Sequence, residues 1–162
     1  VCYGWEGLET WGGSQEWKDN VRAQKEKAEK FAASMGNIRF LGRLKKSDLY
    51  AVIKSAWACL YPNTFWETFC LTGIECQLAG TPMVTSDLGA LSTTMSRNGN
   101  FLLQGNPRGK KYQKEFIDSV AQLFGDDKLW GTMSGNCKVH ANFNFPSWEN
   151  VALQWQQMLW EM

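Results

Sequence analysis

The sequence of 162 residues contains a single histidine, His140, so it cannot supply a histidine pair or several imidazole ligands for a metal. It also lacks an excess of either charge: 17 Lys and Arg face 16 Asp and Glu, giving a net charge of +1. Without a basic excess, no nucleic-acid partner is expected, since such binding depends on neutralising phosphates. No run approaches the roughly 18 apolar residues that a membrane span requires.

Cysteines are few and unevenly spaced: there are five, an odd number. Cys59, Cys70 and Cys76 lie in apolar surroundings, as small buried thiols do, and we expect a reducing, cytoplasmic environment. Cys137 and His140 have the spacing of half a metal site, but no second pair completes it. We therefore expect no metal and no other cofactor.

Apolar residues make up 44% of the chain and charged residues 20%, which indicates a folded protein of one domain over residues 1–162. Nine tryptophans predict a sizeable core or surfaces on which sugars stack. Trp5, Trp11 and Trp17, near the first loop, could stack on a sugar, but packing, or exposure caused by truncation, is the commoner explanation.

Strand and helix patterns alternate along the chain. Strands are predicted at residues 1–4, 38–42, 56–61, 83–86 and 100–103. Helices are predicted at residues 14–35, 47–54, 69–79, 89–91, 113–124, 127–140 and 148–160. Ser14, Ser47 and Ser147 are suited to cap three of these helices. This order predicts an α/β fold with an open, parallel, Rossmann-like sheet, followed by C-terminal helices.

Ligands of such sheets bind beyond the carboxyl ends of the strands. Glu67 lies in the loop after the strand at 56–61, just before a helix whose first amides (Phe69, Cys70, Leu71) could bind a phosphate. Glu75 follows eight residues later. A carboxylate can accept two hydrogen bonds from a sugar diol. Two carboxylates on either side of a phosphate site fit a nucleotide-sugar.

Each glutamate also has a simpler interpretation. Glu67 could serve only as an acidic residue that favours the start of a helix. Glu75 could be an exposed helix residue, although its neighbours Ile74, Cys76 and Leu78 are apolar. A carboxylate in such surroundings usually needs a partner.

The ordered segments at residues 37–42, 58–62, 66–75, 78–86 and 89–91 resemble the C-terminal, donor-binding half of a retaining GT-B glycosyltransferase of family 4, also called group 1. Glu67 and Glu75 match the E-x7-E signature of that family. The resemblance implies that Glu67 is the catalytic residue that contacts the transferred sugar, and that Glu75 holds the ribose hydroxyls. It implies further donor-binding residues at Thr68, Phe69, Cys70, Leu71, Thr72, Gly42, Arg43 and Leu44, the last three near the base.

The resemblance also implies the partners: a nucleotide-diphosphate sugar, a saccharide or other acceptor, and an N-terminal acceptor half that this chain lacks. Any peripheral membrane association would come through those missing parts, and the chain alone is expected to be inactive. The first strand and helix of the donor half are missing too. Because that strand is central in a 3-2-1-4-5-6 sheet, a gap is expected between residues 1–4 and 58–61.

The chain departs from the commonest family pattern where Thr68 and Cys70 replace glycines, although this Glu-Thr-x-Cys variant resembles a recognised subgroup, and where Thr93 replaces a glutamate. These departures concern the detailed contacts of the loop and not its position. One alternative to the enzyme is a non-catalytic, degenerate nucleotide-sugar-binding or interaction module that lacks acceptor chemistry. An epimerase or phosphorylase on the same scaffold is a third possibility. It is disfavoured because the cleft is poor in acid–base groups and we find no cofactor-binding lysine motif.

Overall fold

The computed structural model describes residues 13–161. Within that range it has seven helices and three strands. The helices are α1 (Gln15–Met35), α2 (Lys46–Ser55), α3 (Leu71–Ala79), α4 (Leu91–Thr94), α5 (Lys110–Gly125), α6 (Asp127–Asn144) and α7 (Trp148–Trp160). The strands are β1 (Cys59–Tyr61), β2 (Met83–Ser86) and β3 (Phe101–Leu103). The chain divides into two compact units, Val1–Leu49 and Tyr50–Met162.

The first unit contains α1, whose ends follow from local sequence. The Ser14 hydroxyl accepts a hydrogen bond from the Trp17 amide at 3.2 Å, which caps the helix as predicted. Gly36 ends the helix in the left-handed conformation, with φ of 71°. The strand predicted at residues 1–4 lies outside the described residues.

The strand predicted at residues 38–42 is wrong: this segment has no regular secondary structure, and the Ile38 side chain is 42% exposed. An extended segment becomes a strand only when a neighbouring strand takes its backbone hydrogen bonds. In the expected sheet order its neighbour is residues 1–4, and none of the described strands pairs with it.

The second unit is built on a parallel sheet in the order β1-β2-β3. Leu60 pairs with Val84, and Val84 pairs with Phe101. This order is the one expected for the last three strands of the 3-2-1-4-5-6 arrangement, so the Rossmann-like α/β prediction is confirmed. The central strand β2 is buried throughout, whereas β1 is only partly buried and exposes Leu60.

The core of this unit lies between the sheet and the C-terminal helices. Val84 of β2, Leu123 of α5 and Met133 of α6 form a buried cluster. The Ser147 hydroxyl accepts from the Asn150 amide at 3.4 Å and caps α7 as predicted. Ser47, by contrast, is not an N-cap, because α2 already begins at Lys46.

Candidate functional site

The segment between β1 and α3 carries Glu67 at the carboxyl edge of the sheet. The Tyr61 hydroxyl, at the end of β1, donates to Oε1 of Glu67 at 2.7 Å. Burial, and then the bond to this carboxylate, raise the pKa of Tyr61 well above its ordinary value. Tyr61 therefore keeps its proton at neutral pH and holds the Glu67 carboxylate in one place.

The backbone of Glu67 is held from the other side by the loop that follows β2. The Ala90 amide donates to the Glu67 carbonyl at 2.9 Å. Gly89 has a φ of +60°, and a Cβ placed there would lie 2.6 Å from the Glu67 carbonyl oxygen. Glycine is thus required at this position for both conformation and space.

Helix α3 begins at Leu71, two residues later than the sequence predicts. Cys70 is the N-cap, with φ of 59°, and such a left-handed residue cannot be part of the helix. In the described structure its side chain makes no capping hydrogen bond. The amides of Leu71 and Thr72 are the first of the helix and have no intrahelical acceptor there. An anion could bind to these amides at the positive end of the helix, and the contribution of the Phe69 and Cys70 amides stays a prediction.

The Cys70 thiol lies near Glu67 and is buried. Burial raises the pKa of this thiol to about 11, and the Glu67 charge adds to the effect. This shift disfavours the thiolate, which is the nucleophilic form of a cysteine. Cys70 thus combines the N-cap position of α3 with a protonated thiol beside Glu67.

Glu75 lies in the second turn of α3 and is half-buried. Tyr50 of α2, at the beginning of the second unit, donates its hydroxyl to Oε1 of Glu75 at 3.0 Å. The partner that the apolar surroundings of Glu75 require is therefore a tyrosine. Glu67 precedes and Glu75 follows the first amides of α3 along the chain.

The remaining predicted donor residues differ in accessibility. Thr68, Phe69, Leu71 and Thr72 are exposed, and the Phe69 ring meets the Phe145 ring edge-to-face at 6.1 Å. Gly42, Arg43 and Leu44 belong to the first unit, so their nearness to a bound base stays a prediction. Gly42 has a φ of +59°.

No group of three or more His, Cys, Asp or Glu residues in the described range could hold a metal. Cys137 is fully buried and directs its thiol to the Gly99 carbonyl, while His140 lies 3.2 Å from the Thr94 carbonyl. Cys137 and His140 thus have structural partners. Among helices of residues 13–161, none is long and apolar enough to cross a membrane.

The family model described as "Glycosyl transferases group 1" matches residues 10–126, which is more than half of the chain. The chain belongs to the group 1 glycosyltransferases. Its likeness to one curated member, D-inositol 3-phosphate glycosyltransferase of Corynebacterium urealyticum, is 28% identity over 117 residues. That match covers 72% of this chain and 26% of the relative, so the chain spans about a quarter of the relative's length.

Solved structures agree with this group 1 assignment at the level of the fold. Anabaena Alr3699/HepE in complex with UDP superposes with a TM-score of 0.69 at 17% identity, over 92% of this chain and 39% of the other. Sucrose-phosphate synthase from Thermosynechococcus elongatus gives 0.66 at 22% identity, over 86% and 34%. The fold is that of the C-terminal half of a GT-B glycosyltransferase, as the sequence predicts.

The group 1 signature identifies the two glutamates but not the residues that orient them. Tyr61 and Tyr50 were missed, because each reaches its glutamate through space rather than through a fixed spacing. For Tyr61 a signal exists, since it is the last residue of a predicted strand that ends at the site. Trp5 and Trp11 lie outside the described residues, and Trp17 of α1 is 39% exposed.

Proposed function

We propose that this group 1 chain is the donor-binding part of an enzyme that transfers a sugar, with retention, from a nucleotide-diphosphate sugar to an acceptor. One observation carries the proposal. The Glu67 carboxylate, fixed by the Tyr61 hydroxyl at 2.7 Å, stands immediately before the first amides of α3. A sugar held by Glu67 would thus have its diphosphate at the helix start.

The chemistry follows from this order. The amides of Leu71 and Thr72, at the positive end of the α3 dipole, would bind the diphosphate. They would also stabilise the charge that develops on this leaving group, which removes the need for a metal. Glu67 would orient the transferred sugar, and Glu75, oriented by Tyr50, would accept hydrogen bonds from the ribose hydroxyls.

Relatives support the class of ligand. The Anabaena protein has been solved in complex with UDP and in complex with UDP and glucose, and the second structure superposes with a TM-score of 0.66 at 18% identity. A saccharide or other acceptor would be bound by a further half, since this chain spans 39% of the Anabaena chain. We place the enzyme in the cytoplasm, where reduced cysteines persist.

Calorimetric titration of the chain with UDP-glucose and GDP-mannose, in the presence of EDTA, tests the proposal. At least one donor should bind without metal, and Glu75→Gln should weaken that binding about tenfold or more, as expected for a lost charged hydrogen bond. Glu115→Gln is the matched control, because Glu115 lies on α5 and pairs with Lys111 at 3.8 Å. Absence of binding, or equal effects of the two variants, would refute the donor site.

A further inference from the structure

The segment that carries Glu67 has no regular structure, yet two consecutive hydroxyls of β2 fix its first part. Thr85 donates from Oγ1 to the Tyr61 carbonyl at 2.7 Å. Ser86 donates from Oγ to the Asn63 carbonyl at 2.6 Å. Both hydroxyl residues are almost fully buried, with 0% and 2% exposure. Neither bond belongs to the backbone ladder of the sheet, so both are specific to these side chains.

Asn63 connects this fixed part of the segment to the residues that precede Glu67. Its side chain is buried and folds onto the chain two residues ahead. The Asn63 Nδ2 donates to the Phe65 carbonyl at 2.8 Å, and the Phe65 amide donates to Oδ1 of Asn63 at 3.0 Å. These two bonds set the conformation of residues 63–65, and Glu67 follows only two residues after Phe65.

Tyr112 of α5 stands at the other end of this chain of contacts. Its hydroxyl lies 2.9 Å from Oγ of Ser86. A serine hydroxyl has a single proton, and Ser86 already donates it to the Asn63 carbonyl. Tyr112 must therefore be the donor of the second bond. Tyr112 is 3% exposed, and its ring stacks on Phe116 with centroids 6.1 Å apart.

We propose that Tyr112 is a positioning residue for Glu67, acting through a chain of hydrogen bonds that runs from Tyr112 through Ser86 to Asn63. The inference rests on the proposed function, in which Glu67 contacts the donor sugar. The Tyr112 hydroxyl orients that of Ser86, the Ser86 hydroxyl fixes the Asn63 carbonyl, and Asn63 sets the path to Glu67. Helix α5 thus contributes to the donor site although none of its residues is among those assigned to bind the donor.

Tyr112→Phe removes one hydroxyl and keeps the stacked ring. Ser119→Ala is the matched control: it removes a buried hydroxyl from the same helix, one that donates to the Glu115 carbonyl at 2.8 Å. Two properties are measured: the amide chemical shifts of Phe65 and Glu67 without ligand, and the ratio of the dissociation constant of UDP to that of UDP-glucose. The ratio isolates contacts to the sugar from contacts to the nucleotide.

For Tyr112→Phe we expect displaced shifts at Phe65 and Glu67 and a ratio lowered about threefold to tenfold, the effect of one misplaced hydrogen bond. Binding of UDP itself should stay unchanged, and Ser119→Ala should alter neither property. Ser86→Ala removes the central hydroxyl of this chain of hydrogen bonds and should lower the ratio at least as far.

Shifts confined to α5, or displaced shifts with an unchanged ratio, would overturn the proposal and leave Tyr112 a purely structural residue. A lowered ratio without any shift at Glu67 would overturn it as well. If the unmodified chain bound neither UDP nor UDP-glucose, the proposed function would fail instead. The shifts at Glu67 would then still decide whether Tyr112 positions this glutamate.

Discussion

Replacing Gly89 by alanine tests how tightly the loop after β2 holds Glu67. The new methyl group would lie 2.6 Å from the Glu67 carbonyl oxygen and 2.9 Å from the Glu67 nitrogen. Ordinary contacts of a Cβ begin at 3.4 Å, so backbone atoms on one side must move. The substituted residue would also keep a φ of +60°, which non-glycine residues rarely adopt.

The two costs can be estimated separately. The left-handed conformation costs an alanine about 1–2 kcal/mol, and overpacking adds about 1–3 kcal/mol. The stiffer unfolded chain offsets about 0.4–1 kcal/mol of this sum. Gly89→Ala should therefore lower the free energy of unfolding by about 2–4 kcal/mol, a large part of the roughly 5–15 kcal/mol typical of a domain.

Urea unfolding followed by circular dichroism measures this loss. Gly105→Ala is the control, because Gly105 also has a positive φ, +108°, but nothing lies within 4 Å of its Cβ position. It should lose only the conformational part, about 1 kcal/mol. If the two variants lost the same free energy, the close approach of Gly89 to Glu67 would be refuted.

Three further predictions concern neighbouring groups. Tyr61→Phe removes the hydroxyl that holds Glu67, and should weaken UDP-glucose binding about threefold to tenfold in calorimetry while UDP binding stays unchanged. Arg97→Ala leaves Asp87, whose side chain is 6% exposed, without its guanidinium partner. Because the Arg97 side chain is 60% exposed, urea unfolding should show that the free energy of unfolding falls only modestly, by about 1–2 kcal/mol. Burial raises the pKa of Cys70 from 9.0 to about 11, so the folded state keeps a proton that the unfolded chain releases. The free energy of unfolding should therefore be intact below pH 9 and fall between about pH 9 and 11. Cys70→Ala should reduce that fall.

Each of these has a contradicting result. Equal losses of UDP and UDP-glucose binding in Tyr61→Phe would mean that Glu67 does not contact the sugar. A stability of Arg97→Ala indistinguishable from the unmodified chain would show that water and Gln104 fully replace the guanidinium at Asp87. An identical decline of stability above pH 9 with and without Cys70 would place the responsible titration at other groups.

The sequence predicted correctly those features, such as helix caps, that depend on a single short segment. Ser14 and Ser147 cap their helices because the hydroxyl and the amide that it accepts from are three residues apart. The strand predicted at residues 83–86 is confirmed as the buried central strand β2. The segment at residues 38–42 failed because strand formation depends on a distant partner.

The candidate site was predictable only in part. The family signature identified Glu67 and Glu75, but the tyrosines that orient them approach from other elements. The sequence predicted the start of α3 two residues too early, because no sequence pattern indicates the left-handed conformation of Cys70. The link from Tyr112 to Asn63 likewise depends on the packing of α5 against β2, which residue spacing along the sequence does not predict.

The central claim is that a nucleotide-sugar binds with its diphosphate at the start of α3. Titrating the isotope-labelled chain with UDP-glucose, without metal, and following its amide resonances tests this claim most directly. The account predicts that the amides of Leu71 and Thr72 show the largest shifts, and that these shifts are lost together with binding in Glu75→Gln. Unmoved resonances of Leu71 and Thr72 at saturation, or largest shifts on an element remote from α3, would contradict it.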